Sequence, residues 1–317
     1  MKKIFINNLL IALIFFFLLE IFLKSFGLSD LRGHGSELIT KQKNVETVVF
    51  GKKVYLNSFG YRSSSTQSKY INKNKKIVFI GDSVLFGSGV NEEQTFVSKL
   101  QNKNQEFLYI NAGIIGNDLP ENIDDIEKNF KLFPGSEFII IFTLDDVENK
   151  TKQESNSKTK KDNNFFNLVK NNFFISRVNH FLRTKSYSYL WIKGLATNPS
   201  KRYFEESLQN YKENDNINYF AKKIEEMKIF QKMNSINITF VILPYEYQTR
   251  NNCKKNNFTP QKKIKNIFTE KKVVFLDLTS AFCDNKKPKN LYLNFDPVHL
   301  SVKGHELVYE YLLYNLN

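Results

Sequence analysis

The sequence predicts an α/β fold in which helices cover both faces of a five-stranded parallel sheet. Five short runs of β-branched and aromatic residues recur from residue 75 onward, with helical segments between them. Continuous apolar runs of this length suit strands that are buried on both faces. An apolar stretch at the N-terminus precedes them and is long enough for a membrane helix. We therefore expect a three-layer α/β/α sandwich with an N-terminal transmembrane helix.

The order of the predicted elements places a site at one edge of the sheet. The predicted strands cover residues 77–80, 107–110, 138–142, 238–243 and 273–276. The predicted connecting helices cover residues 92–101, 121–133, 219–233 and 302–314. In open parallel sheets with this β-α-β order, ligands bind beyond the carboxyl ends of the strands. We therefore expect the functional side chains directly after the strands.

The N-terminal segment has the composition of a membrane anchor. Lys2 and Lys3 precede an apolar run, residues 4–23, which only Asn7, Asn8 and Glu20 interrupt. About 20 such residues cross ~30 Å of hydrocarbon, and the paired lysines favour a cytoplasmic N-terminus. The sequence thus predicts a single-pass anchor, residues 1–27, in the cytoplasmic membrane, with the domain that follows it outside. A cleavable signal peptide is the alternative, because residues 25–27 loosely fit a small-x-small cleavage site.

The rest of the chain divides into a lead-in and one domain. Residues 28–73 are polar apart from one apolar-rich stretch, residues 48–56, and are interpreted as a stalk with a small extended lead-in. The α/β domain covers residues 74–317. An insertion at about 151–215 begins with a polar low-complexity loop and continues with aromatic-rich sequence that includes Phe165, Phe166 and Trp191. We interpret the insertion as a helical pair packed on the sheet; a lid or membrane-facing surface is the alternative.

The net charge of +14 does not indicate a nucleic-acid-binding protein. The positive residues are mostly lysines scattered through Asn-, Ile- and Phe-rich sequence, without an Arg-rich helix, a zinc-ligand set or an aromatic RNA-binding motif. The positive charge is still compatible with some attraction to anionic lipid or acidic glycan.

Two cysteines, Cys253 and Cys283, lie in polar loop sequence and are candidates for a disulfide in an oxidising compartment. Two unpaired thiols are the alternative.

Gly81-Asp82-Ser83 directly follows the first predicted strand. A serine at this position has an exposed hydroxyl and backbone N–H groups close by, which suits a nucleophile with an oxyanion site. A nucleophilic serine needs a base, and the base needs a partner that orients it. Asp296-Pro297-Val298-His299, just before the last predicted helix, supplies both from one loop. The other histidines are less suitable, since His34 lies in the stalk, His180 in the insertion and His305 within the last helix.

With these motifs the chain resembles the SGNH (GDSL) hydrolases, in their membrane-anchored bacterial form. The resemblance covers about residues 55–317, from Asn57-Ser58-Phe59-Gly60-Tyr61-Arg62 through the Ser83 motif to the His299 motif. It implies a flavodoxin-like sandwich in which Ser83 is the nucleophile, His299 the general base and then acid, and Asp296 the orienting carboxylate. Gly113, after the second strand, matches the family's second block, so its N–H is expected to join that of Ser83 in the oxyanion hole.

The third block departs from the family pattern. After the third strand the family usually has an asparagine whose side chain donates to the oxyanion, and this chain has Asp145 there. An ionised carboxylate accepts hydrogen bonds and repels a developing oxyanion, whereas a protonated one can donate. We therefore expect activity that is weak, shifted toward acid pH or absent.

The resemblance implies a carboxylic ester hydrolase that acts through an acyl-Ser83 intermediate. The substrate class expected outside the membrane is an O-acylated small molecule, glycan or lipid of the cell envelope. The alternatives are an O-acyltransferase acting on a surface polysaccharide, or a non-catalytic glycan-binding protein on the same scaffold. No cofactor is implied, and no metal site is predicted, because Asp145, Asp146 and Glu148 are not accompanied by a histidine cluster.

Overall fold

The computed structural model describes residues 2–26, 42–63, 75–147, 173–253 and 257–316. Several features of the sequence lie outside these described residues. They are His34, most of the predicted stalk, Glu148, the low-complexity loop at 151–164, Phe165 and Phe166.

Within the described ranges, seven strands form two sheets. The strands are β1 (Val45–Val49), β2 (Lys52–Leu56), β3 (Lys75–Ile80), β4 (Phe107–Asn111), β5 (Glu137–Phe142), β6 (Ile238–Ile242) and β7 (Val274–Asp277). The larger sheet has the order β4-β3-β5-β6-β7, and all its neighbouring strands are parallel. Residues 77–80 and 138–142 are buried, as expected for strands covered on both faces. The predicted five-stranded parallel sheet is confirmed.

Helices separate the strands from β3 onward, and one further helix lies at the N-terminus. In chain order they are α1 (Lys2–Phe26), α2 (Ser83–Phe86), α3 (Phe96–Lys103), α4 (Leu119–Leu132), α5 (Phe173–Lys185), α6 (Tyr187–Thr197), α7 (Pro199–Asn210), α8 (Asn214–Asn234), α9 (Glu246–Thr249), α10 (Thr259–Glu270), α11 (Thr279–Cys283) and α12 (Val302–Asn315). Four of them match predicted helices, although the first is divided into a 3₁₀ turn, Glu92–Gln94, and α3. The helix α10 was not predicted.

Helices lie on both faces of the larger sheet. On one face α3 and α12 pack together, where the ring of Phe96 contacts Phe79 of β3 and His305 of α12. On the other face lie α4, α8 and α10, where Phe220 contacts Phe142 and the ring of Phe268 contacts Phe240. The three-layer α/β/α prediction is confirmed. His305 is completely buried, and burial lowers its pKa to about 3, so it is a neutral packing residue.

The predicted lead-in contains an antiparallel hairpin that packs against the domain. Strands β1 and β2 pair from Val45↔Leu56 to Val49↔Lys52. Val49, Val54 and Leu56 form a small buried cluster with Phe86 of α2. The part of the lead-in that the structure describes is therefore attached to the segment that follows β3.

The N-terminal helix α1 contains one segment, Ile6–Ser25, that is long and apolar enough to cross a membrane, with a mean hydropathy of 2.4 and almost no burial within the protein. The C-terminal half of α1 contacts α6 of the predicted insertion through Glu20 and Phe16. In the insertion the structure describes three successive helices, α5, α6 and α7, instead of a pair. Phe204 of α7 is buried against Tyr245 at the carboxyl edge of the sheet.

Cys253 and Cys283 form a disulfide with a Cα–Cα distance of 5.4 Å. The bridge joins the 3₁₀ turn Arg250–Cys253, which follows α9, to the end of α11. It closes a segment that contains α10 and β7.

Candidate active site

Ser83 is positioned by the turn from β3 into α2. The Asp82 side chain caps this short helix by accepting a hydrogen bond from the Val84 N–H at 2.8 Å. Ser83 is the first helical residue, where a backbone N–H has no acceptor within its own helix. A Cβ at Gly81 would lie 3.0 Å from the Ile141 carbonyl oxygen, so the close approach of β3 to β5 favours glycine there. The Ser83 hydroxyl and N–H are thereby held at the carboxyl end of β3, next to the central strand β5.

His299 joins Ser83 to Asp296 in one hydrogen-bonded chain. His299 Nε2 lies 2.9 Å from Ser83 Oγ, and His299 Nδ1 lies 2.9 Å from both carboxylate oxygens of Asp296. Because a carboxylate accepts hydrogen bonds, Nδ1 carries the proton and Nε2 of the neutral ring is free to accept the Ser83 proton. The Asp296 side chain is 2% exposed and the His299 side chain 14% exposed. The structure thus brings the three predicted residues together.

The loop around Asp296 is fixed by its own backbone. Asp296 Oδ1 also accepts from the N–H groups of Val298 and His299, at 2.9 and 2.8 Å. The residue before it, Phe295, has a φ of 56°. The Ser200 hydroxyl of α7 donates to the Asp296 carbonyl at 3.3 Å. The insertion therefore supports the loop that carries the carboxylate.

An aromatic residue from the lead-in contacts the histidine. Phe50, at the tip of the β1–β2 hairpin, meets the His299 ring edge to face at a centroid distance of 5.0 Å. Phe50 has a φ of 48°, a left-handed conformation that is uncommon for a bulky residue. Sequence reasoning missed this residue, because a hairpin tip carries no signal of the loop that it meets.

Arg62 anchors the lead-in to the turn after α2. Its guanidinium is buried and donates to the carbonyls of Phe86, Gly87 and Val90 at distances of 2.5 to 3.0 Å. Burial lowers the pKa of Arg62 to about 10, so the side chain still carries its charge at neutral pH. Arg62 belongs to the Gly60-Tyr61-Arg62 motif, and its role in holding the turn after Ser83 could not be read from the motif alone.

Gly113 lies directly against α2. A Cβ at this position would lie 2.6 Å from the Phe86 nitrogen, so no side chain fits without movement. The Gly113 N–H donates to Asn111 Oδ1 at 3.1 Å, and Asn111 Nδ2 donates to the Leu85 carbonyl at 3.0 Å. To stabilise an oxyanion, the Gly113 N–H would have to donate to the oxyanion and to Asn111 Oδ1 at once, or give up its hydrogen bond to Asn111.

Two tyrosines hold Asp145, and sequence reasoning missed both. Tyr203 of α7 donates to Asp145 Oδ2 at 2.6 Å, and Tyr245 donates to Asp145 Oδ1 at 2.8 Å. Burial, together with the charge of Asp145, raises the pKa of each tyrosine, so both remain donors. Both oxygens of Asp145 are therefore occupied as acceptors. The aromatic-rich sequence of the insertion was a signal that could have drawn attention to Tyr203. That sequence did not indicate Asp145 as the partner of Tyr203.

Three carboxylates lie close together at this edge of the sheet. Burial, reinforced by the charge of Asp145, raises the pKa of Asp82 to about 7. Burial and the charges of Asp82 and Asp145 also raise the pKa of Asp146, which accepts from the Thr143 N–H at 2.9 Å. Like charges at short range cannot all ionise at little cost. Asp82 and Asp146 therefore keep their protons to a higher pH than ordinary aspartates do.

Two cavities flank the loop that precedes Phe295. One of about 680 Å³ is lined by residues that include Leu195, Arg250 and Lys287. The other, of about 550 Å³, is lined by residues that include Lys52 and Lys303. Asn290, Leu293 and Asn294 line both. Neither cavity is lined by Ser83 or His299, so both lie outside the hydrogen-bonded Ser83–His299–Asp296 group.

Neither a protein-family model nor a curated protein sequence matches this chain. Solved structures with a similar fold include a GDSL-family lipolytic protein from Veillonella parvula, 11% identical over 76% of this chain and 97% of that one, with a TM-score of 0.44. An acetyl xylan esterase, AlAXEase, is 13% identical over 76% and 100% of the two chains, with a TM-score of 0.46. A variant of an acetyl xylan esterase from Geobacillus stearothermophilus is 16% identical over 77% and 95%, with a TM-score of 0.45. What the site of this chain can do follows from its own geometry.

Proposed function

We propose that this protein is a serine esterase that hydrolyses an O-acyl ester through an acyl-Ser83 intermediate. The observation that carries the proposal is the chain of hydrogen bonds from Ser83 Oγ through His299 to Asp296. A serine, a histidine and a carboxylate in this order form the arrangement that activates a hydroxyl for attack on a carbonyl. The similar solved structures include proteins named as esterases.

The reaction follows from the positions of the protons. Ser83 Oγ attacks the acyl carbonyl and its proton passes to His299 Nε2, while the charge of Asp296 stabilises the imidazolium. The tetrahedral intermediate collapses, and the leaving alcohol takes the proton from Nε2. Water then attacks the acyl-Ser83 ester with His299 as base, which releases the acid and restores the hydroxyl.

The oxyanion is assigned to backbone N–H groups. We place it next to the N–H of Ser83 at the start of α2, with Gly113 as the second donor. Asp145, which already accepts from Tyr203 and Tyr245, contributes no donor in this arrangement. A hole with fewer donors than usual predicts a slow enzyme rather than an inert one.

The proposed location is the outer face of a cytoplasmic membrane, with α1 as the anchor. Its apolar segment is long enough to span, and Lys2 and Lys3 favour a cytoplasmic N-terminus. The acyl group would then belong to a glycan or lipid of the cell envelope. Protease digestion of intact and lysed spheroplasts tests this topology, because the domain should be cleaved from outside in both.

A fluorophosphonate probe tests the catalytic proposal in the full-length protein. The probe should label wild type, and labelling should be lost in Ser83→Ala and strongly slowed in His299→Asn. Ser280→Ala, an exposed serine of α11, is the matched control and should label like wild type. A folded wild-type protein that takes no label would favour the non-catalytic alternative, for which the occupied Asp145 carboxylate is the supporting observation.

A further inference from the structure

Glu20 is an acidic residue within the apolar segment of α1, and it has specific partners. Its carboxylate accepts hydrogen bonds from the Ser186 hydroxyl, the Tyr187 N–H and the Ser188 N–H, each at 2.9 Å. All three belong to the N-terminal end of α6. The Ser188 hydroxyl also donates to the Phe16 carbonyl at 3.3 Å. The first turn of α6 is thus fixed beside residues 16–20 of the anchor.

The position of these contacts along α1 sets the depth of α6. Glu20 and Phe16 both lie within Ile6–Ser25, the segment that can cross a membrane. At 1.5 Å per helical residue, Glu20 is roughly 8 Å and Phe16 roughly 14 Å from the outer end of this segment. An ionisable side chain inside a bilayer needs a buried partner. The donors from α6 supply that partner, which requires the start of α6 to reach the same depth.

The outward surface of this helical region is apolar. Ile192 of α6 is 45% exposed and Val178 of α5 is 40% exposed, whereas Leu195 faces the cavity of about 680 Å³. Lys185, which is exposed, directly precedes the Ser186 cap of α6, and the long side chain of a lysine can extend from an apolar segment toward the phosphates of anionic lipids. Exposed apolar residues bordered by basic ones are typical of segments that lie in a membrane interface.

The same helix touches the loop that carries Asp296. Trp191 meets the ring of Phe295, and a Cβ on Gly194 would lie only 2.4 Å from that ring. Phe295 immediately precedes Asp296. A helix fixed to the anchor at one end therefore packs against the proposed active-site loop along its length.

We infer that α6, with the adjoining face of α5, is a second membrane-contacting element that lies in the outer leaflet beside α1 and holds the Ser83 site at the bilayer surface. This inference rests on the proposed anchorage by α1. It implies that the enzyme acts on esters carried by the membrane more readily than on the same esters in solution. The occupant of the apolar face is lipid, since the face is continuous with a helix of membrane-spanning composition.

Trp191 is the only tryptophan in the chain, so its fluorescence reports on α6 alone. The full-length protein is reconstituted into vesicles of phosphatidylcholine and phosphatidylglycerol whose acyl chains carry bromine, a short-range quencher. Bromine near the headgroup should remove most of the Trp191 emission, and bromine near the chain end should remove less. The double variant Val178→Gln/Ile192→Gln should lose this quenching. It should also lose activity several-fold on a vesicle-borne ester and keep its activity on a soluble ester.

The matched control is Ile229→Gln/Met233→Gln on α8, where the two side chains are 53% and 79% exposed. It should behave like wild type in every measurement. Flotation with vesicles and probe labelling of Ser83 report anchorage and catalysis separately. A protein that floats and labels, yet keeps its full Trp191 emission with every brominated lipid, would overturn the inference and leave the proposed function standing. The same holds if the face proves to be covered by a second copy of the chain. A protein that does not float would overturn the anchorage and the inference together.

Discussion

The ring of Phe50 lies edge to face against the ring of His299, with 5.0 Å between the centroids. Phe50 comes from the hairpin that precedes the sheet, whereas His299 is in the loop before the last helix. This contact makes the hairpin part of the candidate site, because it restricts the ring that exchanges a proton with Ser83 in the proposed reaction.

Phe50→Ala should therefore lower kcat on a short-chain ester. An aromatic pair contributes about 0.5 to 1.5 kcal/mol, which corresponds to a reduction of roughly 2- to 10-fold. Phe50→Gly should lower kcat similarly while keeping or raising the melting temperature, because glycine adopts the positive φ without strain. Val48→Ala, at an exposed position of β1, is the control. An unchanged kcat in both Phe50 variants would remove the hairpin from the site.

Ser83→Ala and His299→Asn should each reduce kcat/KM by roughly 10⁴-fold or more, because the two side chains act as one unit. For the same reason the double variant should be no slower than either single variant. Steady-state hydrolysis of a chromogenic ester by Ser83→Ala, His299→Asn and the double variant measures this. Additive losses would mean that the two residues act independently, which their 2.9 Å contact does not predict.

Asp145→Asn should increase kcat. The amide nitrogen of asparagine can donate where the carboxylate only accepts, and an oxyanion donor is worth about 100- to 1000-fold when fully in place. Since Tyr203 and Tyr245 also constrain the side chain, we expect a gain of roughly 10-fold. Asp146→Asn, one residue further on, should show no gain. A folded Asp145→Asn protein without a gain would mean that the tyrosines hold the amide away from the oxyanion.

The raised pKa of Asp82 should make stability depend on pH in a defined direction. Its pKa is about 7 in the folded protein, against an ordinary value of 3.8. Between these values the folded state keeps the proton and the unfolded state releases it, so this contribution to stability falls as pH rises from about 4 to about 7. Asp82→Asn removes the titration and keeps an oxygen for the Val84 N–H. Urea unfolding at pH 5 and pH 8 should show that the free energy of unfolding of the variant increases relative to that of wild type as pH rises. The same difference between the two proteins at both pH values would contradict the raised pKa of Asp82.

Removing the Cys253–Cys283 bridge should lower the free energy of unfolding by about 3 to 4 kcal/mol, the value expected for a closed loop of this length. The two cysteines are 30 positions apart, and the loop contains α10 and β7. Reductant should lower the denaturation midpoint of wild type. It should leave Cys253→Ser/Cys283→Ser, which is already destabilised, unchanged. Equal midpoints in the wild type and the double variant without reductant would show that the bridge does not form.

The sheet could be predicted because its strands are local apolar runs, and Ser83 could be located because it directly follows one of them. The unpredicted helix α10 is rich in lysine on its outer side, although Ile264, Ile267 and Phe268 have helical spacing and are buried. The residues that contact the candidate site could not be predicted from the sequence for a different reason. Phe50, Tyr203 and Tyr245 act through contacts between distant segments, and no periodicity or motif encodes which segments meet.

For an α1 that spans the membrane as proposed, the hydrogen bonds from α6 to Glu20 also impose an order on biogenesis. Ser186 is 166 residues downstream of Glu20, so the anchor is synthesised long before its carboxylate can find a partner. Until α6 emerges, that charge depends on water or on the insertion machinery for solvation. Seating of α6 is then a late step that completes the anchor itself, and a chain interrupted ahead of Ser186 would leave an uncompensated acid in the membrane.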